Sequence, residues 1–261
     1  WTATFSRLFF NCASLTSSPA LPSTSIAEWW YAQMFFSCNG LTEPPELPAT
    51  SMWTYGYYQM FLNCVNLKSS PEIHISTVSD SWLLGMFQWC TSLKTAPSIL
   101  PATTLVDNCY ANIFSWCSSL KTVPILPATT LTYGCYTSMF NNCTSLTICP
   151  ELPATTLADS CYSYMFAWCK NLQSLPLLPA TTLTDTCYIM MFNGCTNILL
   201  STSTTYIFLP FSFSPPKLKI LILLKFAPPH IPSIQSVFPQ SCGPLLRWGG
   251  YRVCRMHDRQ L

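Results

Sequence analysis

The sequence predicts an α/β repeat fold: a coiled array of about eight 26-residue units, each a short strand, a proline-rich corner and a short helix. Two observations set the period and the packing. A Met-Phe pair is followed three residues later by Cys and three more by Leu, and the eight anchor cysteines stand at 12, 38, 64, 90, 117, 143, 169 and 195. Every interval is 26 residues except one of 27, and a period in this range marks stacked supersecondary units rather than one globular core. The third observation is proline, four residues after each of seven repeat leucines, at 19, 45, 71, 97, 124, 150 and 176.

The helix is read from Leu157, where the apolar positions 157, 161, 165, 166 and 169 recur close to every 3.6 residues. Thr156 and Asp159 resemble a capping box with Asp in place of Glu, and Thr104/Asp107 and Thr182/Asp185 repeat it. The strand is read from Leu146 to about Cys149. It is short because Pro150 and Pro153 have no amide hydrogen to give a ladder.

Stacked in register, the units turn columns into buried ridges. The Phe column (9, 35, 61, 87, 114, 140, 166, 192) has no exception, and the Met column admits only Leu8 and Ile113. A second aliphatic column runs Ile26, Met52, Val78, Leu105, Leu131, Leu157, Leu183. The 27-residue interval comes from one extra residue in 97–101, expected to bulge at a corner without shifting the columns. Early units drift: Trp30 and Gly56 stand where Cys109, Cys135, Cys161 and Cys187 stand later.

After Ile198 every column vanishes. Residues 1–198 hold five Lys/Arg against nine Asp/Glu, a net of −4, whereas 199–261 hold seven against one, a net of +6. The expected organisation is therefore a repeat domain over 1–198 and a non-repeat, basic and proline-rich tail over 199–261. The tail reads either as a separate, disordered segment or as a reading-frame slip in the source nucleic acid. The chain opens at Trp1 inside a degenerate repeat, so it reads as a fragment. Its longest aliphatic run, 220–224, is far short of the roughly 18 residues a membrane helix needs.

An aromatic before Cys, then Leu, then an aliphatic-Pro corner, held in eight registers, resembles the BspA-like leucine-rich-repeat proteins of bacterial cell surfaces. The resemblance covers about residues 1–198. It departs from that group in a longer unit, and in a strand that reads L-x-x-Φ-P-x-L-P (Φ small or apolar) where the general pattern has L-x-x-L-x-L. It implies a right-handed solenoid of the leucine-rich type, at the cell surface or secreted, working as an adhesion surface. The competing expectation is a structural stalk that projects another domain of a longer protein.

Chemistry-bearing constellations are sparse, and the expectation is that the chain is not an enzyme and needs no cofactor. His74, His230 and His257 are the only histidines, and no glycine-rich phosphate loop occurs among eight glycines. A zinc site is not expected: Cys161 and Cys169, eight apart on one predicted helix, would lie about 12 Å apart, and Cys254-x-x-His257 lacks a second half. The fifteen cysteines read as small buried apolar residues, with inter-unit disulfides the alternative. LPATT at 152–156 is similar to a cell-wall sorting sequence, but it lacks the glycine and recurs near 47, 100, 126 and 178, which makes it a corner. Glu46, Glu72 and Glu151 share one column and read as solvated surface. A net acidic array offers nucleic acid no footprint.

Two surface columns remain. Lys68, Lys94 and Lys121 follow the repeat leucine in three consecutive units, and they are the candidate binding residues, for a protein or an anionic glycan. Trp89, Trp116 and Trp168 precede the anchor cysteine where other units have Asn, Ser or Gly. The plainest reading of these is packing over the helix end.

Overall fold

Along each repeat the backbone amides alternate between two partners. In the second unit the N–H groups of Tyr31, Gln33, Phe35 and Ser37 donate to the carbonyls of Gly56, Tyr58, Met60 and Leu62 in the next unit, at 2.8–3.1 Å. The amides between them, of Ala32, Met34, Phe36 and Cys38, reach back three residues to Trp29, Tyr31, Gln33 and Phe35 at 3.1–3.3 Å. Half of the amides thus close tight turns and half join one coil to the next. The computed structural model describes residues 4–76 and 83–198, together with four strands further on. The chain divides into two units, Trp1–Leu199 and Leu200–Leu261.

The expected helix is not there: no α-helix occurs among the described residues. The cause is a left-handed residue at every fourth position. Trp29, Gln33 and Ser37 have φ of 58°, 54° and 55°, and Ser160, Tyr164 and Trp168 have 58°, 55° and 63°. Each left-handed residue turns its peptide out of line with the i→i−4 ladder, so a helix cannot propagate. A four-residue turn period still brings 157, 161, 165 and 169 to one side, which is why the apolar spacing imitates a helix.

The capping boxes fall with the helix. Asp159 does not cap its own segment; its Oδ1 accepts the Asp185 amide of the next coil at 3.0 Å. Asp107 accepts the Tyr133 amide in the same way, at 3.0 Å.

The strand expected at 146–149 is also absent. Parallel pairing in the array is shorter and partly elsewhere: β1 (Ser25–Ile26) on β2 (Ser51–Met52), and single bridges Ser69–Thr95, Ile99–Ile125 and Thr130–Thr156. Proline, with no N–H to give, limits the ladder to one or two residues at a time. The extra residue of the 27-residue interval is taken up between Lys94 and Ile99. Lys121 bonds to Lys94, 27 residues back, while Ile125 pairs with Ile99, 26 back. The phenylalanine stack crosses this point undisturbed, with Phe87 and Phe114 centroids 5.7 Å apart.

Beside the buried Met and Leu columns, the core holds three ladders joined by rings or hydrogen bonds. Phenylalanine rings from Phe9 to Phe192 stack with centroids 5.4–5.7 Å apart and planes within 10° of parallel. Tyr110, Tyr136, Tyr162 and Tyr188 form a second buried stack at 5.7–5.8 Å. The third is the anchor cysteines, whose thiols donate to the phenylalanine carbonyl of the preceding coil. Cys64 Sγ meets Phe35 O at 2.9 Å, Cys143 meets Phe114 at 3.1 Å and Cys169 meets Phe140 at 3.0 Å. The same Phe35 carbonyl takes the Cys38 amide at 3.1 Å, so both of its lone pairs are used without water. All thirteen described cysteines are free.

The early drift has a volume explanation. A Cβ at Gly56 would collide with the Met52 side chain, which stands in the column that Leu105, Leu131 and Leu157 fill in later units.

The second unit contains a four-stranded antiparallel sheet in the order β3-β4-β6-β5, formed by Pro210–Phe211, Lys219–Leu223, Tyr251–Met256 and Leu246–Trp248. Apart from these strands, the residues of the predicted tail lie outside the described ones.

Candidate binding face

Lys68, Lys94 and Lys121 are exposed and adjacent on the backbone. Lys94 N donates to Lys68 O and Lys121 N to Lys94 O, both at 2.9 Å, so their Cα atoms follow the strand spacing of about 4.8 Å. Thr42 opens the row, giving its carbonyl to Lys68 N at 3.0 Å. Three like charges at this spacing repel modestly in water, and long side chains splay to relieve the strain. A counter-anion laid along the row would remove that repulsion.

The tryptophan column sits on a left-handed row. Asn11, Ser37, Asn63, Trp89, Trp116, Asn142, Trp168 and Gly194 all have φ between 55° and 75°. Asn and Gly accept this conformation readily, whereas a bulky residue rarely does. Yet Trp89 and Trp116 are 39% and 40% exposed, and Trp168 is 49% exposed. The expectation that they pack over a helix end fails with the helix. Trp89 and Trp116 stack on each other, centroids 4.3 Å apart and planes 10° apart.

Trp168 stands apart from that pair. Its indole lies over Gly194, where an added Cβ would come within 2.5 Å of the ring, so its other face looks back along the array. Between Trp116 and Trp168 lies the coil of Asn142. The register is unbroken, because Trp116 N donates to Asn141 O and Asn142 N to Ala167 O, both at 2.7 Å. Asn63 ties its amide to Ser37 Oγ at 2.9 Å, whereas Asn142 has no such side-chain bond among the described residues. The sequence reading passed over Asn142 because its column identity is ordinary; what marks it is its position between two indoles.

Of the other polar candidates, Glu72 has a structural role. Glu72 accepts Ser98 N and Oγ at 3.0 and 2.6 Å, joining two coils, and His74 is exposed at its corner. Burial pushes the Cys64, Cys135 and Cys195 thiols up to about 12, so almost no thiolate is present near neutral pH. Among the described residues no group of three or more His, Cys, Asp or Glu could hold a metal ion. No helix among them is long and apolar enough to cross a membrane. No protein-family model, curated protein or solved structure matches the chain.

Proposed function

We propose that residues 1–198 form a right-handed solenoid of the leucine-rich, BspA-like kind, which works outside the cell as a non-enzymatic binding or adhesion surface. Its partner is a protein or glycan carrying negative charge. The observation that carries this reading is the lysine row: three of the five basic residues of 1–198 are exposed and bonded backbone to backbone. Repeat arrays present extended faces rather than deep pockets, which suits polymeric partners. The buried thiols are compatible with an oxidising exterior, since oxidation needs an accessible thiolate.

The test is a Lys68→Ser, Lys94→Ser, Lys121→Ser variant. Its melt should match the parent, because the row is exposed. On an array of sulfated and carboxylated glycans, the parent should bind less as salt rises and the variant should lose that interaction. A variant that binds as the parent does, or a parent that binds nothing, refutes the reading.

The stacked, unbroken phenylalanine ladder favours a second reading, a stiff stalk that spaces another domain from its anchor. It predicts no ligand for either surface column.

A further inference from the structure

We propose that Trp116, Asn142 and Trp168 form a slot for one uncharged pyranose ring of a glycan. The proposal deepens the reading of this array as a binding surface and rests on it, but it concerns different residues and a different force.

Three observations converge on the slot. The two tryptophans occupy left-handed backbone at φ 67° and 63°, where the same column elsewhere carries Asn, Ser or Gly. Left-handed backbone recurs throughout the array and also carries Trp29, Tyr55 and Tyr164, so what marks Trp116 and Trp168 is a half-exposed indole in a column that, Trp89 aside, holds small polar residues or Gly. The indoles also present their free faces to the same coil. Trp116 has Trp89 on one side, and Trp168 has Gly194 on the side away from Asn142. The unbonded amide of Asn142 is placed between them, able both to donate and to accept.

The spacing selects the ligand. Trp116 and Trp168 are two coils apart, about 9.6 Å at the usual strand separation. A flat aromatic ring between two indoles needs about 3.5–4.0 Å on each side and would leave slack. A chair-form sugar ring is thicker and carries axial C–H groups on its faces and hydroxyls at its rim. The C–H groups meet the electron-rich indole faces and a hydroxyl meets the amide. None of the three residues is charged, so the ring they accept is uncharged, whatever charge the rest of the glycan carries.

The experiment uses the whole chain and calorimetric titration with neutral hexasaccharides of glucose, mannose and N-acetylglucosamine. Trp116→Asn and Trp168→Asn are the informative variants, because Asn11, Asn63 and Asn142 already fill this column at φ 60–62° and the fold accepts them. Asn142→Gly removes the amide while keeping a residue suited to its φ of 62°. The parent should bind at least one hexasaccharide with little dependence on salt, and either tryptophan variant should weaken it by about tenfold or more. Asn142→Gly should weaken it by less. Trp53→Ser, which changes an exposed tryptophan outside the column, should bind as the parent does. A parent that binds none of the sugars at millimolar concentration overturns the slot, and so do tryptophan variants that bind as tightly as the parent. Either failure, alongside salt-sensitive binding of an anionic glycan that the lysine variant abolishes, removes the slot and leaves the broader reading standing. Neutral-sugar binding that survives in the lysine variant supports the slot independently.

Discussion

Replacing Phe140 by alanine tests whether the array stacks as its ring ladder implies. Phe140 is fully buried, with Phe114 at 5.7 Å on one side and Phe166 at 5.5 Å on the other. Losing the side chain forfeits about 1.5–3 kcal/mol of burial and two ring contacts of about 0.5–1.5 kcal/mol each. The neighbouring coils cannot close the gap, since Phe114 N–Met139 O and Phe140 N–Met165 O hold them at 3.0 and 2.8 Å. The expected loss is about 3–5 kcal/mol, within the range for large-to-small changes in a rigid core. Phe9 is the contrast. It is half-buried in the first coil and has one ring neighbour in its column, Phe35 at 5.5 Å. An end unit also frays before the rest, so Phe9→Ala should cost about 1–2 kcal/mol. Urea melts of both variants followed by circular dichroism decide the matter. Equal losses at the two sites would mean that the units do not stabilise one another through stacking.

Cys117, Cys143 and Cys169 should resist iodoacetamide until the chain is unfolded, whereas the exposed Cys12 reacts at once; mass spectrometry showing inter-unit disulfides in the folded protein would contradict the thiol–carbonyl ladder. The raised thiols also give a pH signature. Cys64 titrates near 12 folded against 9.0 ordinarily, so from pH 9 to 12 the unfolded chain releases a proton that the folded chain keeps. The urea midpoint should therefore be insensitive to this group below pH 9 and fall from there upward. The fall should shrink when Cys64 is replaced by Ala; an identical slope in that variant would remove Cys64 as a source. Asp159→Ala should lower stability by about 0.5–1.5 kcal/mol through loss of the Asp185 amide bond, while Asp159→Asn keeps an acceptor oxygen and most of the stability. Equal melting temperatures for the two variants would show that the bond does not matter.

How much of this was legible in the residues depends on which period carried the information. The 26-residue period is long and nearly invariant, so the Phe, Met and Cys columns and their burial follow from it directly. The four-residue period was visible but ambiguous. Apolar residues at 157, 161, 165 and 169 satisfy a turn repeat of four as well as a helix of 3.6, and over three turns the two drift apart by little more than one residue. The distinguishing signal lay in the polar positions. Asn108, Asn112, Gly134 and Asn142 fall on the left-handed rows, and Asn and Gly at every fourth residue favour turns over a helix interior. The tyrosine after each cysteine at 109, 135, 161 and 187 was equally visible as a column but went unread, and it forms the buried tyrosine stack. The slot could not be read in the same way, because it depends on which side of each coil faces out, and that follows from the turn backbone rather than from the helix the spacing suggested.

The turn backbone also explains why the anchor is cysteine. In a helix the carbonyl of residue i takes the amide of residue i+4, and a side-chain donor from a neighbouring element is unnecessary. Here the Phe35 carbonyl takes its turn bond from Cys38 and faces a dry interior with a second lone pair, which Cys64 Sγ meets at 2.9 Å. Alanine would fill less of the space and leave that lone pair without its donor. Serine would donate more strongly but would bring a polar hydroxyl into an apolar site, with one hydrogen to give and two lone pairs left over. A thiol is apolar enough to be buried and still has a hydrogen to offer. Cys143→Ser should then cost more than Cys143→Ala if desolvation dominates, and less if the hydrogen bond does. Alanine loses both the second donor to the Phe114 carbonyl, which keeps its turn bond from Cys117 N at 3.1 Å, and the dispersion contacts of the sulfur, about 0.1–0.2 kcal/mol for each of many atom pairs, whereas serine keeps a donor and part of those contacts. On that comparison serine, which keeps a donor for the Phe114 carbonyl, should be the milder change. A serine variant that melts below the alanine variant would place the weight on burial of the sulfur instead.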